Sequence, residues 1–185
     1  EQIGSAGDWD PNSSHYAKAD VAEQVAWANT TSASQISGFA QNLSESFDTN
    51  KSYELSVDIG NRTDGISYDS KYEVRLIAGD TIVGVAAGST RDIADGTFRT
   101  ANFNIDGRDF AEVDGQSLRI EILNTGTENN YVGQVNFDNV RLMQMDTATT
   151  DAFRQTQDGT VVGWGVFNEV DGWKTSEGAG IEVQE

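Results

Sequence analysis

Residues 135–142 read Val135-Asn136-Phe137-Asp138-Asn139-Val140-Arg141-Leu142, and their alternation of apolar and polar side chains changes phase at the Asp-Asn pair. Val135 and Phe137 share one face of a strand, whereas Val140 and Leu142 fall on the opposite parity. The strand must therefore carry a bulge or bend that re-aims Asp138 or Asn139. A carboxylate at such a break ligates a metal, faces a cleft, or satisfies backbone amides beside the bulge.

Strand-type alternation continues outward from this segment. Tyr53, Leu55, Val57 and Ile59 interleave with Glu54, Ser56 and Asp58, and the pattern recurs at Tyr72-Val74-Leu76, Ala101-Phe103-Ile105, Leu118-Ile120-Ile122, Val162-Trp164-Val166 and Ile181-Val183. One face of each strand is buried and the other wet, the signature of antiparallel sheets. Asp-Gly pairs at 64–65, 95–96, 106–107, 114–115, 158–159 and 171–172 punctuate the strands with turn chemistry. The fold expected is all-β: a two-sheet antiparallel β-sandwich, of jelly-roll type, with at most one short helix. The helical allowance falls in His15–Asn29, read as a loop or short helix followed by a strand that opens at Val25-Ala26-Trp27.

The 185 residues, 37% hydrophobic, suffice for one substantial core and an appendage: a sandwich over 1–145, then a segment 146–185. Val162, Trp164, Val166, Trp173, Ile181 and Val183 are too apolar a set to hang free in water, so this tail either packs back on the sandwich or opens the next module. The chain has no cysteine, which removes disulfides and thiolate metal sites. Its net charge of −18, from 30 acids against 12 bases, argues against nucleic acid and anionic membrane as partners. Excess carboxylate reads either as a solvated surface or as calcium sites whose ions offset the repulsion. No apolar run approaches the roughly 20 residues of a membrane span, so no membrane insertion is expected.

Catalytic constellations are sparse. His15 is the only histidine, which removes two-histidine metal sites and imidazole relays, and beside Ser13 and Ser14 it reads as a loop residue. No cysteine nucleophile, phosphate loop or dinucleotide fingerprint occurs. Aromatic side chains beside polar amides are the better signal, because flat apolar faces and planar hydrogen-bonders together hold sugar rings and peptide groups. Trp9, Tyr16, Asn61, Arg62, Tyr68 and Asp69 are the candidate ligand residues, set on exposed connections where binding residues concentrate. Trp27, Trp164 and Trp173 have apolar neighbours at strand spacing and read as core.

Ser34-Gln35-Ile36, the run Tyr53 to Arg62, Tyr72-Glu73-Val74-Arg75-Leu76 and Phe137-Asp138-Asn139-Val140-Arg141-Leu142 together resemble successive strands of a bacterial secreted jelly-roll family. That family is akin to carbohydrate-binding modules and includes the calcium-binding Stig cyclases of indole alkaloid biosynthesis. The resemblance covers residues 1–145. Members usually open with a strand ending in Gly-Trp, which this chain lacks before Ile3. Its tail, Asp171-Gly172-Trp173-Lys174-Thr175 through Gly180-Ile181-Glu182-Val183-Gln184, resembles such an opening, and also resembles the start of ligand-binding modules in large RTX-type adhesins.

The resemblance implies structural calcium (Ca2+), for which Asp8, Asp10 and Asp138 are the expected ligands, and a cleft near the Asp138 strand. In the cyclases the aspartate of that motif donates a proton, a role Asp138 inherits if the chain is such an enzyme. At 9% aromatic, with polar connections, the chain is read as lacking the aromatic-lined pocket that a terpenoid-indole substrate needs. The expectation is therefore a non-catalytic, calcium-dependent adhesion module on the bacterial cell surface, part of a larger extracellular adhesin. It would bind a short peptide or a glycan on a target cell. The alternatives are a spacer module without a ligand and a Stig-cyclase-like enzyme using Asp138 as acid.

Overall fold

The computed structural model describes residues 1–16, 24–31, 35–67, 69–127 and 133–146, together with four short tail strands of which only the backbone is described. Ten strands build the sandwich: β1 Gln2–Ile3, β2 Ser5–Trp9, β3 Val25–Thr30, β4 Ser37–Ser46, β5 Lys51–Asn61, β6 Ser70–Ala78, β7 Thr81–Ser89, β8 Thr97–Asp106, β9 Ser117–Thr127 and β10 Gly133–Asp146. They form two five-stranded sheets, ordered β1-β4-β9-β6-β7 and β2-β3-β10-β5-β8, with every neighbouring pair antiparallel. The sandwich expected from the alternation is thus the fold. Helical structure among the described residues is limited to two short 3₁₀ segments, Thr90–Asp92 and Gly107–Val113. Residues 17–23, which carry most of the possible helix, lie outside the described set; Val25 does open a strand.

Period-two patterning sets the core. Leu55, Val57 and Ile59 from β5, Val74 and Leu76 from β6, Leu118 from β9 and Val135 and Phe137 from β10 are buried between the sheets. Phe47 stacks on Tyr53 at 5.1 Å to close one end. Burying a side chain of this size is worth about 1.5–3 kcal/mol, so the core, and not the exposed ion pairs, holds the sheets together.

The phase break in β10 is a β-bulge. Asp138 pairs with Asp58 and Arg141 with Ser56, so three steps on β10 match two on β5 and one residue is extra. Asn139 absorbs it with φ 51°, a left-handed conformation that asparagine tolerates better than most residues. Beyond the bulge Leu142 packs against the core, while Val140 is 45% exposed beside a hollow of about 260 Å³ lined by Glu1, Phe39, Ala40, Gln41, Ile120 and Ile122.

In the tail, β11 Trp164–Phe167 pairs with β14 Ile181–Gln184, and β12 Glu169–Val170 with β13 Trp173–Lys174. The two large sheets are made from residues 2–146.

Candidate functional site on the outer face of the β2-β3-β10-β5-β8 sheet

Strand parity puts Gln134, Asn136 and Asp138 of β10 on the face opposite Val135 and Phe137, that is, outward. The register then aligns one row across all five strands: Gly7 with Trp27, Trp27 with Asn136, Asn136 with Gly60, and Gly60 with Phe98. Two glycines in this row make room for aromatic rings. A Cβ on Gly7 would stand 2.9 Å from the Trp27 indole, and one on Gly60 would stand 2.5 Å from the Tyr16 hydroxyl and 2.7 Å from the Phe98 ring. Trp27 therefore lies over Gly7, while Tyr16, stacked on Phe98 at 4.5 Å, lies over Gly60. Asn136 sits in the register between them.

The polar atoms here are unusual. Asn136 is 0% exposed, and neither its amide nitrogen nor its oxygen has a hydrogen-bond partner among the described residues. The Tyr16 hydroxyl, Trp9 Nε1 and Asn29 Oδ1 are likewise buried and unpartnered. Each such group costs about 1–3 kcal/mol when unmet, and although Asn61, Ser67 and Ser70 carry such atoms elsewhere, the set around Asn136 is the one that lies beside outward aromatic rings and so makes this face the candidate ligand surface. Burial pushes the Tyr16 phenol well above its ordinary pKa; the Arg62 guanidinium pulls it down, and the Asp64 and Asp138 carboxylates add to the rise.

One end of the face is roofed by the segment after β2. Thr63 N–H donates to His15 O at 3.1 Å and its hydroxyl donates to Ser14 O. His15 meets Trp9 edge-on at 4.7 Å, and Arg62 Cζ lies 4.5 Å from the centre of the Trp9 ring. Arg62 also donates to Gln134 Oε1 at 2.6 Å and pairs with Asp64. Burial works to raise the Asp64 pKa, but hydrogen bonds and charge from Arg62 overcome it and hold the carboxyl below its ordinary value.

One row further along β10 two carboxylates stand side by side, Asp138 directly opposite Asp58. Asp138 Oδ1 accepts the Asn139 N–H at 2.7 Å; Asp58 accepts the Asn139 side-chain amide at 2.9 Å and the Thr100 hydroxyl at 2.5 Å. Aromatic rings gathered around an unsatisfied amide, with a half-exposed carboxyl one row away, can bind a flat, mostly apolar molecule and hand it a proton.

Of the residues singled out in the sequence, Trp9, Tyr16, Arg62 and Asp138 are brought to this face. Asn61 turns inside, donating to Ile93 O at 2.8 Å and to Asp95 at 3.0 Å. Asp69 is buried in a pair with Arg91, 2.5 Å between Nε and Oδ1. Tyr68 lies outside the described residues. Trp27 is not core: Ala26 and Ala28 fill the core side of β3, and the indole stands outward, half-buried. Phe98, Asn136 and Asp58 were missed, although each shares parity with plainly polar neighbours: Phe98 with Thr100 and Asn102, Asn136 with Gln134, Asp58 with Ser56.

Comparison with known proteins fits this geometry. The chain belongs to the HpiC1-like family, whose model, described as HpiC1 cyclase, matches residues 2–143. Among solved structures it is similar to an apo form of a cyclase from Fischerella sp. (28% identity, TM-score 0.63, covering 76% of this chain and 73% of that one). It is also similar to a cyclase from Fischerella sp. TAU in complex with 4-(1H-indol-3-yl)butan-2-one (31%, 0.61, 76% and 74%). A third is the Stig cyclase Fisc from Fischerella sp. TAU in complex with (3Z)-3-(1-methyl-2-pyrrolidinylidene)-3H-indole (31%, 0.61, 76% and 73%). No curated protein matches the chain in sequence.

These findings overturn the expected non-catalytic adhesion module of an RTX-type adhesin: the family and the similar structures are those of cyclases. The physical reason lies in counting aromatics over the whole chain. A low average says nothing about their concentration, and Trp9, Tyr16, Trp27 and Phe98 converge on one face. The expectation of calcium is corrected as well. Asp8 is exposed and paired with Ala26, Asp10 lies past the end of β2, and Asp138 stands outward on β10. Among the described residues no three carboxylate or histidine side chains gather closely enough to hold a metal ion.

Proposed function

We propose that this protein is a cyclase that closes a ring on a terpenoid-indole precursor at the outer face of the β2-β3-β10-β5-β8 sheet, with Asp138 as the proton donor. The observation that carries this reading is the placement of Asp138, which strand parity sets outward just before the bulge, on the face that holds Tyr16, Trp27 and Phe98. The similar cyclases crystallised with indole-bearing molecules support an indole ring as the part these aromatics hold.

In the proposed reaction the Asp138 carboxyl gives its proton to a carbon–carbon π bond of the substrate. The positive charge that develops is stabilised by the aromatic faces, whose negative π density attracts cations. The ring bond forms as π electrons of a second part of the substrate add to the cationic carbon. A proton is then shed to solvent, leaving an isomer of the starting material.

Turnover tests this. Incubation with a terpenoid-indole precursor, followed by chromatography and mass spectrometry, is expected to give a cyclised product of unchanged mass. Asp138→Asn is expected to abolish it with a melting temperature within about 2 °C of the parent, since the side chain keeps its shape at a half-exposed site. No turnover by the parent, or undiminished turnover by the variant, contradicts the assignment.

A further inference from the structure

We propose that Asn139 is a positioning residue that clamps the Asp138 carboxyl and ties it to Asp58. The inference rests on reading Asp138 as the acid. Asn139 is one of two non-glycine residues with positive φ among those described, and that conformation is what the single-residue bulge demands. It points the Asn139 N–H at Asp138 Oδ1, 2.7 Å away, and swings the side chain across to β5, where Nδ2 lies 2.9 Å from Asp58 Oδ2.

The opposite end of the same amide accepts from Arg141 Nη2 at 3.4 Å, and the other oxygen of Asp58 takes the Thr100 hydroxyl at 2.5 Å. One chain of contacts, Arg141 to Asn139 to Asp58 to Thr100, thus crosses β10, β5 and β8. Its consequence for Asp138 is directional. An oxygen that accepts a main-chain N–H is the one that stays unprotonated, so the clamp assigns the transferable proton to Oδ2 and fixes where that oxygen points. The side-chain amide also lies against Asp58, the carboxylate paired directly with Asp138, where two bare like charges would repel.

These side chains are exposed or half-exposed, so their hydrogen bonds add little to stability. A positioning role therefore separates cleanly from a structural one. Asn139→Gly keeps the left-handed backbone and the N–H but removes the amide. Asn139→Asp keeps the backbone tolerance but sets a third carboxylate against Asp58. With a terpenoid-indole precursor as substrate, kcat is expected to fall about 3–10-fold in the first and about 10–100-fold in the second, the range over which supporting contacts typically act. KM is expected to stay within about twofold and the melting temperature within about 2 °C.

A second readout does not need turnover. In NMR titrations the Asn139 amide proton is expected to shift with the ionisation of Asp138 and to lose that response in Asp138→Asn. Wild-type kcat in both Asn139 variants, with Asp138→Asn inactive, overturns the role of the Asn139 side-chain amide and leaves the acid assignment standing; the main-chain half of the clamp, which both variants keep, is overturned by an Asn139 amide proton indifferent to the state of Asp138. If Asp138→Asn is fully active, the acid assignment falls, and the clamp is then decided by the titration: an Asn139 amide proton indifferent to the state of Asp138 overturns it.

Discussion

Replacing Asn136 by leucine should make the protein more stable and a worse binder. The side chain is 0% exposed with both amide atoms unpartnered among the described residues, in a row between Trp27 over Gly7 and the Tyr16–Phe98 stack over Gly60. Leucine has nearly the same size and no polar atoms to desolvate. An unmet buried polar group costs about 1–3 kcal/mol; allowing for a water that partly serves the amide, the expected gain is about 1–2 kcal/mol. For a domain in this size range each kcal/mol moves the melting temperature by about 2–4 °C, so calorimetry should show a rise of about 2–8 °C. The same variant loses a hydrogen bond to ligand worth about 1–1.4 kcal/mol, or roughly five- to tenfold in affinity for 4-(1H-indol-3-yl)butan-2-one by titration calorimetry. A fall in melting temperature would mean the amide has a structural partner. A rise with unchanged affinity would mean it does not face the ligand. Either result refutes the reasoning.

Gly60→Ala should push the Tyr16–Phe98 stack off its seat, because the added methyl would stand 2.5 Å from the Tyr16 hydroxyl; overpacking of this kind costs about 2 kcal/mol, a drop of about 4–8 °C in melting temperature, with weaker ligand binding. Stability should respond to pH at both extremes. The depressed pKa of Asp64 contributes stability above the ordinary carboxylate value of 3.8 that is lost as pH falls below it, so Asp64→Asn should flatten the acid limb of melting temperature against pH. The raised pKa of Tyr16 contributes stability that is whole below pH 10 and lost above it as the unfolded chain ionises; Tyr16→Phe should remove part of the alkaline loss, and Tyr53, also raised by burial, keeps the rest. We further propose that residues 147–185 open a second unit, since the tail strands pair with one another; a chain ending at Asp146 should stay soluble with an unchanged melting temperature, and a drop of several degrees would place a tail strand on the sandwich, for instance in the hollow beside Val140.

The strands and the bulge were legible because period-two alternation and its break are local properties of the chain. The Val135–Leu142 segment placed the break at the Asp138-Asn139 pair without saying which of the two it re-aims; the register and the left-handed φ assign it to Asn139. The other half of the site was not legible, since which face of β3 is buried depends on what lies across the sandwich. Small Ala26 and Ala28 take the core side, and the large Trp27 stands out over Gly7, the reverse of a size-based guess. Phe98 and Asn136 become neighbours of Tyr16 only through the pairing of β8, β5 and β10. The acids misled for a related reason: Asp8, Asp10 and Asp138 are plausible ligands one by one, yet Asp8 lies on the edge strand β2, Asp10 past its end and Asp138 on the central strand β10.

Cyclisation in heavy water tests the central claim most directly. If Asp138 protonates the substrate and closure sheds a different proton, the product formed by the wild-type protein from a terpenoid-indole precursor carries one deuterium at a carbon and weighs one mass unit more than the product made in ordinary water, while Asp138→Asn yields none. Product without deuterium, or deuterated product formed at an undiminished rate by Asp138→Asn, would contradict it.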